Sequence, residues 1–213
     1  MQIFWHGFSC IRIEASHGDK DAVLVTDPYS NESGLRFPRT LAPDIVALTH
    51  QDAKRFPSDV FTNEPFIINN PGEYEVNGFF VYAMPVRTGD DTHPYELMYR
   101  FEVEGMSVGF LGGMKRPLTD EEAGQLGNID ILLIPVGGGD KLTAKQAAET
   151  ISKIEPRMVV PLYYHTEGVK EKLGTADAFC KELVCKRQDS NKLKIAKKDL
   201  PAEDLVVAVL ERA

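Results

Sequence analysis

The chain lacks the features that mark disulfide-rich, zinc-ribbon and membrane-spanning proteins. Its cysteines, Cys10, Cys180 and Cys185, are odd in number and lack a Cys-x-x-Cys spacing, so neither a disulfide framework nor a zinc ribbon is predicted. We expect reduced thiols packed as small hydrophobic side chains. No apolar run approaches the length of a bilayer span, and no basic segment precedes the strand-like residues 2–5. These absences predict a cytoplasmic protein without a membrane partner.

Positive charge is also scarce. The 24 Lys and Arg residues are outnumbered by 32 Asp and Glu residues, which gives a net charge of −8. Binding to a nucleic-acid backbone depends on clustered Lys and Arg that release counterions, so we expect no nucleic-acid partner. A length of 213 residues with 43% hydrophobic content suffices for one large core. Because no linker, repeat or low-complexity segment divides the chain, we predict a single domain over residues 1–213.

The first half of the sequence has the pattern of β-strands. Short runs of Ile, Val, Leu and Phe cover residues 2–5, 10–15, 22–26 and 45–48. Asn77-Gly78 predicts a hairpin because type I′ turns need positive φ at both central residues, and Glu104-Gly105 is a weaker signal of the same kind.

The second half alternates strands with helices. Thr119 with Glu122 and Thr143 with Gln146 form capping boxes that each begin a helix, and a third helix is predicted over residues 175–184. Apolar strands are predicted over residues 131–136 and 158–162. Two blocks of strands, each followed by helices, fit two sheets packed face to face with helices outside, and composition alone does not distinguish this arrangement from a three-layer sandwich.

Ionisable groups are concentrated directly after the predicted strand at residues 45–48. Within seven positions the chain presents the polar residues Thr49, His50, Gln51, Asp52, Lys54 and Arg55. His50 and Asp52, two positions apart, can point the same way and share a metal or a proton. The alternative is a solvated turn in which the histidine has no role, and this segment alone leaves both interpretations open.

The order of motifs resembles the metallo-β-lactamase superfamily, in the branch of small prokaryotic metal-dependent hydrolases related to ascorbate-6-phosphate lactonase. The motifs that carry the resemblance are Trp5-His6-Gly7-Phe8-Ser9-Cys10, Val25-Thr26-Asp27-Pro28-Tyr29, residues 44–50, Pro71-Gly72-Glu73-Tyr74-Glu75-Val76, Phe110-Leu111-Gly112-Gly113, residues 130–138 and residues 155–161. The resemblance implies an α/β fold, the αββα four-layer sandwich, with the site at the mouth between the sheets.

The same resemblance implies that most metal ligands are replaced. Active members carry a His-x-His-x-Asp-His signature that serves both metal positions. His50 fits its first histidine, whereas Asp52, Lys54 and Arg55 stand at the other three positions. Further along, the resemblance aligns other ligand positions with Arg87, with Gly113 in place of a bridging aspartate, and with Tyr163, two residues before His165.

These replacements favour a non-catalytic or repurposed protein, and we expect no metal cofactor. A metal pair needs carboxylates and neutral imidazoles, and clustered cations would repel it. The former active site would then bind a small anionic ligand, and its predicted lining residues are Asp27, Lys54, Arg55, Arg87, Tyr163 and His165, beside His50. The alternative is a site without a ligand, filled by salt bridges of Lys54 and Arg55 with Asp27 or Asp52.

A second hypothesis is a metal-dependent hydrolase of lactones, esters or phosphodiesters with a rearranged site. A single Zn or Mn would be held by His50 and Asp52, with Asp27 and His165 as further ligands. Nucleophile chemistry is disfavoured, because Ser9 and Cys10 lack a Gly-x-Ser-x-Gly elbow. The glycine run at residues 137–139 likewise lacks the Lys-Ser/Thr of a phosphate-binding loop.

Overall fold

The chain folds into two β-sheets stacked face to face. A computed structural model describes residues 1–18, 20–38, 40–50, 60–187 and 190–213. The strands are β1 (Gln2–Gly7), β2 (Cys10–His17), β3 (Lys20–Thr26), β4 (Ile45–Ala47), β5 (Phe66–Ile68), β6 (Gly72–Val76), β7 (Phe79–Arg87), β8 (Tyr95–Val103), β9 (Met106–Phe110), β10 (Ile131–Pro135), β11 (Met158–Leu162), β12 (Cys185–Arg187), β13 (Lys192–Lys194) and β14 (Val206–Val209). The six-stranded sheet has the order β13-β1-β2-β3-β4-β5, and the eight-stranded sheet has the order β12-β14-β11-β10-β9-β8-β7-β6.

The helices follow strands of the second sheet. They are α1 (Asp120–Leu126), α2 (Ala144–Ile154) and α3 (Ala176–Phe179), with 3-10 turns at Asn31–Ser33 and Lys197–Asp199. Both predicted capping boxes are present, at the starts of α1 and α2. The predicted third helix is shorter than expected: α3 ends after one turn, and turns follow it.

The strands alternate between two apolar layers. Ile11 and Ile13 of β2 pack with Leu24 of β3 in the main core between the sheets. Cys10 and Val25 belong to a second cluster that the loop after β3 covers with Tyr29, Leu35, Phe37 and Leu41. On the larger sheet, α2 adds Ala147, Ile151 and Ile154 to the main core. The predicted two-sheet sandwich with outer layers is confirmed.

The prediction of three reduced cysteines is wrong for one pair. Cys180 and Cys185 are joined by a disulfide, with Cα atoms 5.3 Å apart. The turns after the short α3 bring two residues five positions apart within bonding distance, which the spacing alone does not reveal. Cys10 is a free, fully buried thiol as predicted, and burial raises its pKa.

In the part of the chain that the structure describes, no helix is long and apolar enough to cross a bilayer.

Candidate functional site

A pocket of about 530 Å³ lies at the edge of the sandwich where several parallel strands end. Parallel strands present their carboxyl ends at the same edge, so residues distant in sequence meet there. The loops after β3, β4, β9, β10 and β11 contribute to its wall. The lining residues are Phe8, Ser9, Asp27, Pro28, Tyr29, Ser30, Glu32, Ser33, Thr49, His50, Gly112, Asp140, Lys141, Tyr163, Lys170 and Glu171.

Asp27 is held rigidly at the floor of this pocket. Its carboxylate accepts hydrogen bonds from the Thr49 backbone N–H and from Thr49 Oγ1, both at 2.8 Å. Its backbone N–H donates to the Ala47 carbonyl, and its φ of 34° is a left-handed conformation that costs a non-glycine residue free energy. Burial raises the pKa of the Asp27 carboxyl above its ordinary value, while His50, the Thr49 hydrogen bonds and Lys141 oppose the rise.

Lys141 brings a positive charge into the same region. Its ammonium donates to the Gly113 carbonyl at 3.3 Å and lies 3.5 Å from Asp140 Oδ2. The ammonium also lies 5.9 Å from the centre of the Tyr163 ring, and only 10% of the side chain is exposed. Sequence reasoning missed this residue. The available signal was a lysine directly after a strand and a glycine run, the position where loop residues of this fold reach the mouth.

Neighbouring side chains fill the space beside Gly113. A Cβ atom at this position would lie 2.7 Å from Thr49 Oγ1 and 3.2 Å from Glu96 Oε2. Thr49 is buried, and the Glu96 carboxylate is buried in an ion pair with Lys115 at 2.8 Å. The resemblance aligns Gly113 with a bridging aspartate, and Thr49 and Glu96 leave no room for such a side chain without rearrangement.

Tyr163 lines the same pocket as His50. Its hydroxyl donates to Glu171 Oε2 at 2.9 Å, and Asp140 Oδ1 lies 3.4 Å from the same oxygen. Burial and the two carboxylates raise the pKa of the phenol well above its ordinary value. The Tyr163 backbone is held in place by a hydrogen bond from its N–H to the Phe8 carbonyl at 2.9 Å.

Of the other residues predicted for the site, some line the pocket and others lie away from it. His50 lines the pocket, and its Nδ1 atom is buried without a hydrogen-bond partner among the described residues. Arg87 and His165 do not line it: Arg87 is exposed at the end of β7, two strands from β9, and the exposed His165 lies on a loop bonded to Gly174. The predicted residues Asp52, Lys54 and Arg55 lie outside the described residues.

The described residues by themselves do not form a metal centre. Within the described ranges, no three His, Cys, Asp or Glu side chains are grouped closely enough to hold a metal ion. Asp27 and His50 are two ligand types in the pocket, and the Lys141 ammonium near them would repel a dication.

The comparisons with known proteins agree with this architecture. The family described as the Beta-lactamase superfamily domain matches residues 2–163. The chain belongs to the metallo-β-lactamase superfamily. A UPF0173 protein of Pyrococcus abyssi is 25% identical over 213 residues, which covers 88% of this chain and 92% of the relative. A UPF0173 metal-dependent hydrolase of Pyrococcus horikoshii is 26% identical over 156 residues, covering 70% of this chain and 68% of the relative.

Among solved structures of the superfamily, one from Thermotoga maritima superposes over 99% of both chains with a TM-score of 0.80 and 26% identity. That protein is provisionally assigned as a Zn-dependent hydrolase. The similarity supports the two-sheet fold over the full length of this chain.

Proposed function

We propose that this superfamily member binds a small anionic ligand in the pocket at the strand ends and does so without a di-metal centre. The observation that carries the proposal is the nearly buried Lys141 ammonium, which lies against the Gly113 carbonyl and acts electrostatically on Asp27. In this proposal Lys141 supplies the positive charge that metal ions supply in active relatives, and the protein is non-catalytic or repurposed.

The floor of the pocket has donors that an anion would use. Lys141 has three N–H groups, of which one donates to the Gly113 carbonyl and another faces the more distant Asp140 carboxylate. His50 also lines the pocket, and its imidazole has an N–H donor. A phosphate or carboxylate bound to both groups would make charge-assisted hydrogen bonds. Lys54 and Arg55, close to His50 in sequence, would add to the positive charge.

Calorimetric titration with inorganic phosphate and with acetate tests the proposal. Replacing Lys141 by Met removes the charge and keeps much of the side-chain length, so we expect affinity to fall by about tenfold or more, the size of a hydrogen bond to a charged group. Lys145→Met, on the exposed face of α2, is the matched control and should leave affinity unchanged. Equal affinity in the Lys141→Met variant and the parent protein would overturn the proposal.

The names of the relatives support a second candidate, a metal-dependent hydrolase. Lactones, esters or phosphodiesters are the substrates that we infer for it from the sequence resemblance. The unpartnered His50 Nδ1, Asp27 and the neighbouring Asp52 would hold a single Zn or Mn, which lowers the pKa of bound water when present. Stoichiometric metal that survives dialysis, and is lost in a His50→Ala variant, would favour this candidate over the first.

A further inference from the structure

Acidic side chains outnumber basic ones among the described residues that line the pocket. Glu32, Asp140 and Glu171 line the mouth, and Lys170 is the cation beside them. Lys170 directs its ammonium to the Glu32 backbone carbonyl at 3.0 Å, not to a carboxylate. Asp140 pairs with Lys141 at 3.5 Å, whereas among the described residues neither Glu32 nor Glu171 forms a side-chain ion pair, so the charges of these two carboxylates are not neutralised by the described cations.

Hydrogen bonding at Tyr163 shows the same excess of acceptors. Its hydroxyl has one proton, and two carboxylate oxygens approach it, from Glu171 at 2.9 Å and from Asp140 at 3.4 Å. The phenol therefore donates to one carboxylate at a time and leaves acceptor oxygens of both available. Burial raises the pKa of the Tyr163 phenol, and the carboxylates of Asp140 and Glu171 raise it further. A group with several N–H donors and a positive charge would satisfy these oxygens.

We propose that the ligand is a small zwitterion whose anionic head binds Lys141 and His50 and whose ammonium group binds Glu171 and Asp140. This inference rests on the proposed anion site for the head group and adds the chemistry of the other end. A pocket of about 530 Å³ is of the size that holds a small molecule. A hydroxyl at the far end could make one hydrogen bond to these carboxylates, whereas an ammonium also neutralises them.

Two probes of matched length separate the two ends of the ligand: 5-aminopentanoate and 5-hydroxypentanoate, titrated by calorimetry at low ionic strength. We expect the amino acid to bind about tenfold more tightly, the difference between a charged and a neutral hydrogen-bond donor. Glu171→Gln should remove this preference and leave the affinity for the hydroxy acid unchanged. Glu167→Gln, four residues earlier, exposed and outside the pocket lining, is the matched control and should retain the preference.

The outcomes distinguish the two levels of the proposal. If neither acid binds, or if Lys141→Met leaves the binding of both unchanged, the anion site itself is wrong. If both acids bind with equal affinity through Lys141, the anion site stands and the zwitterion inference is overturned. Asp140→Asn provides a second variant at the mouth and should reduce the preference severalfold if Glu171→Gln does not fold.

Discussion

The two ends of the sandwich are closed in different ways. At one end, tight turns join neighbouring strands of the larger sheet: Asn77-Gly78 links β6 to β7, and Glu104-Gly105 links β8 to β9, with positive φ at all four residues. Side chains there meet partners across the sheets, as when Glu104 Oε1 accepts from the Ser16 N–H at 2.9 Å. At the other end, loops after parallel strands bring Asp27, His50 and Lys141 around an open pocket.

Because of this difference, we expect the two ends to contribute differently to stability and to ligand binding. The turn end fixes strand register through local backbone geometry, and the Glu104 carboxylate there accepts a hydrogen bond from the Ser16 N–H. The pocket end holds a carboxyl with a raised pKa, a nearly buried ammonium and a histidine nitrogen without a described partner. Such groups cost stability where they are not fully paired, which is typical of sites that bind ligands. Substitutions at the turn end should therefore change stability alone, whereas substitutions of the pocket-lining residues should change ligand binding as well.

The largest expected effect concerns His6, which is 4% exposed near the pocket end of β1. Burial, with Arg12 as a further cause, lowers its pKa to about 4 from 6.5. The unfolded chain then binds the proton more readily, so stability present above pH 6.5 is lost as the pH falls toward 4. This amounts to roughly 3 kcal/mol for a shift of this size.

Urea unfolding at a series of pH values, compared between the parent protein and His6→Gln, measures this contribution. The variant should lose less stability between pH 7 and pH 4. His165→Gln, at an exposed histidine, serves as the control. Parallel stability curves for the parent and His6→Gln would contradict the assignment.

Gly113→Ala should destabilise the pocket end by about 2 kcal/mol, because the new Cβ overlaps the buried Thr49 side chain. The same change at Gly124, where nothing lies within 4 Å, should stabilise α1 by about 0.5 to 1 kcal/mol. Chemical unfolding of both variants gives the comparison. A neutral Gly113→Ala would show that Thr49 moves freely, and that the space for a larger residue exists.

Gly78→Ala probes the turn end. Its φ of 83° disfavours alanine, and the added Cβ would overlap the His17 side chain, so we expect a loss of about 1 to 2 kcal/mol. Phosphate affinity should be unchanged, because this turn lies at the opposite end from the pocket. A weaker affinity for phosphate in the folded Gly78→Ala variant would show that the turn end also affects ligand binding.

The smallest effect concerns the pH dependence of anion binding. Because the pKa of Asp27 is raised, lowering the pH protonates this carboxyl and removes a negative charge near Lys141. Sulfate keeps its charge throughout this titration, and we expect it to bind severalfold more tightly once Asp27 is protonated, a difference of about 1 kcal/mol. Asp27→Asn should flatten this dependence. If the pH dependence of sulfate affinity is unchanged in the Asp27→Asn variant, a group other than Asp27 causes it.

The sequence predicted the parts of the fold that have local causes. The hairpin at Asn77-Gly78 and the capping boxes of α1 and α2 depend on a few adjacent residues, and all are present. The site depends on contacts between distant segments. Lys141 follows β10 and Asp27 follows β3, and only the stacking of the two sheets brings them together.

The same limit explains the predicted residues that lie elsewhere. The resemblance aligns Arg87 with a ligand position and places His165 two residues beyond the aligned Tyr163, but a strand end or a loop direction that differs by one or two residues places a side chain outside the pocket. The disulfide between Cys180 and Cys185 also depends on the turns after α3, which the sequence pattern extended as helix.

The most direct test of the central claim, that Lys141 and not a metal pair supplies the positive charge of the pocket, is elemental analysis of protein purified without added metal or chelator. The measurement is repeated after incubation with zinc and manganese followed by extensive dialysis. The account predicts far less than one equivalent of metal in both samples. One or two equivalents that survive dialysis, and that are lost in His50→Ala, would contradict it.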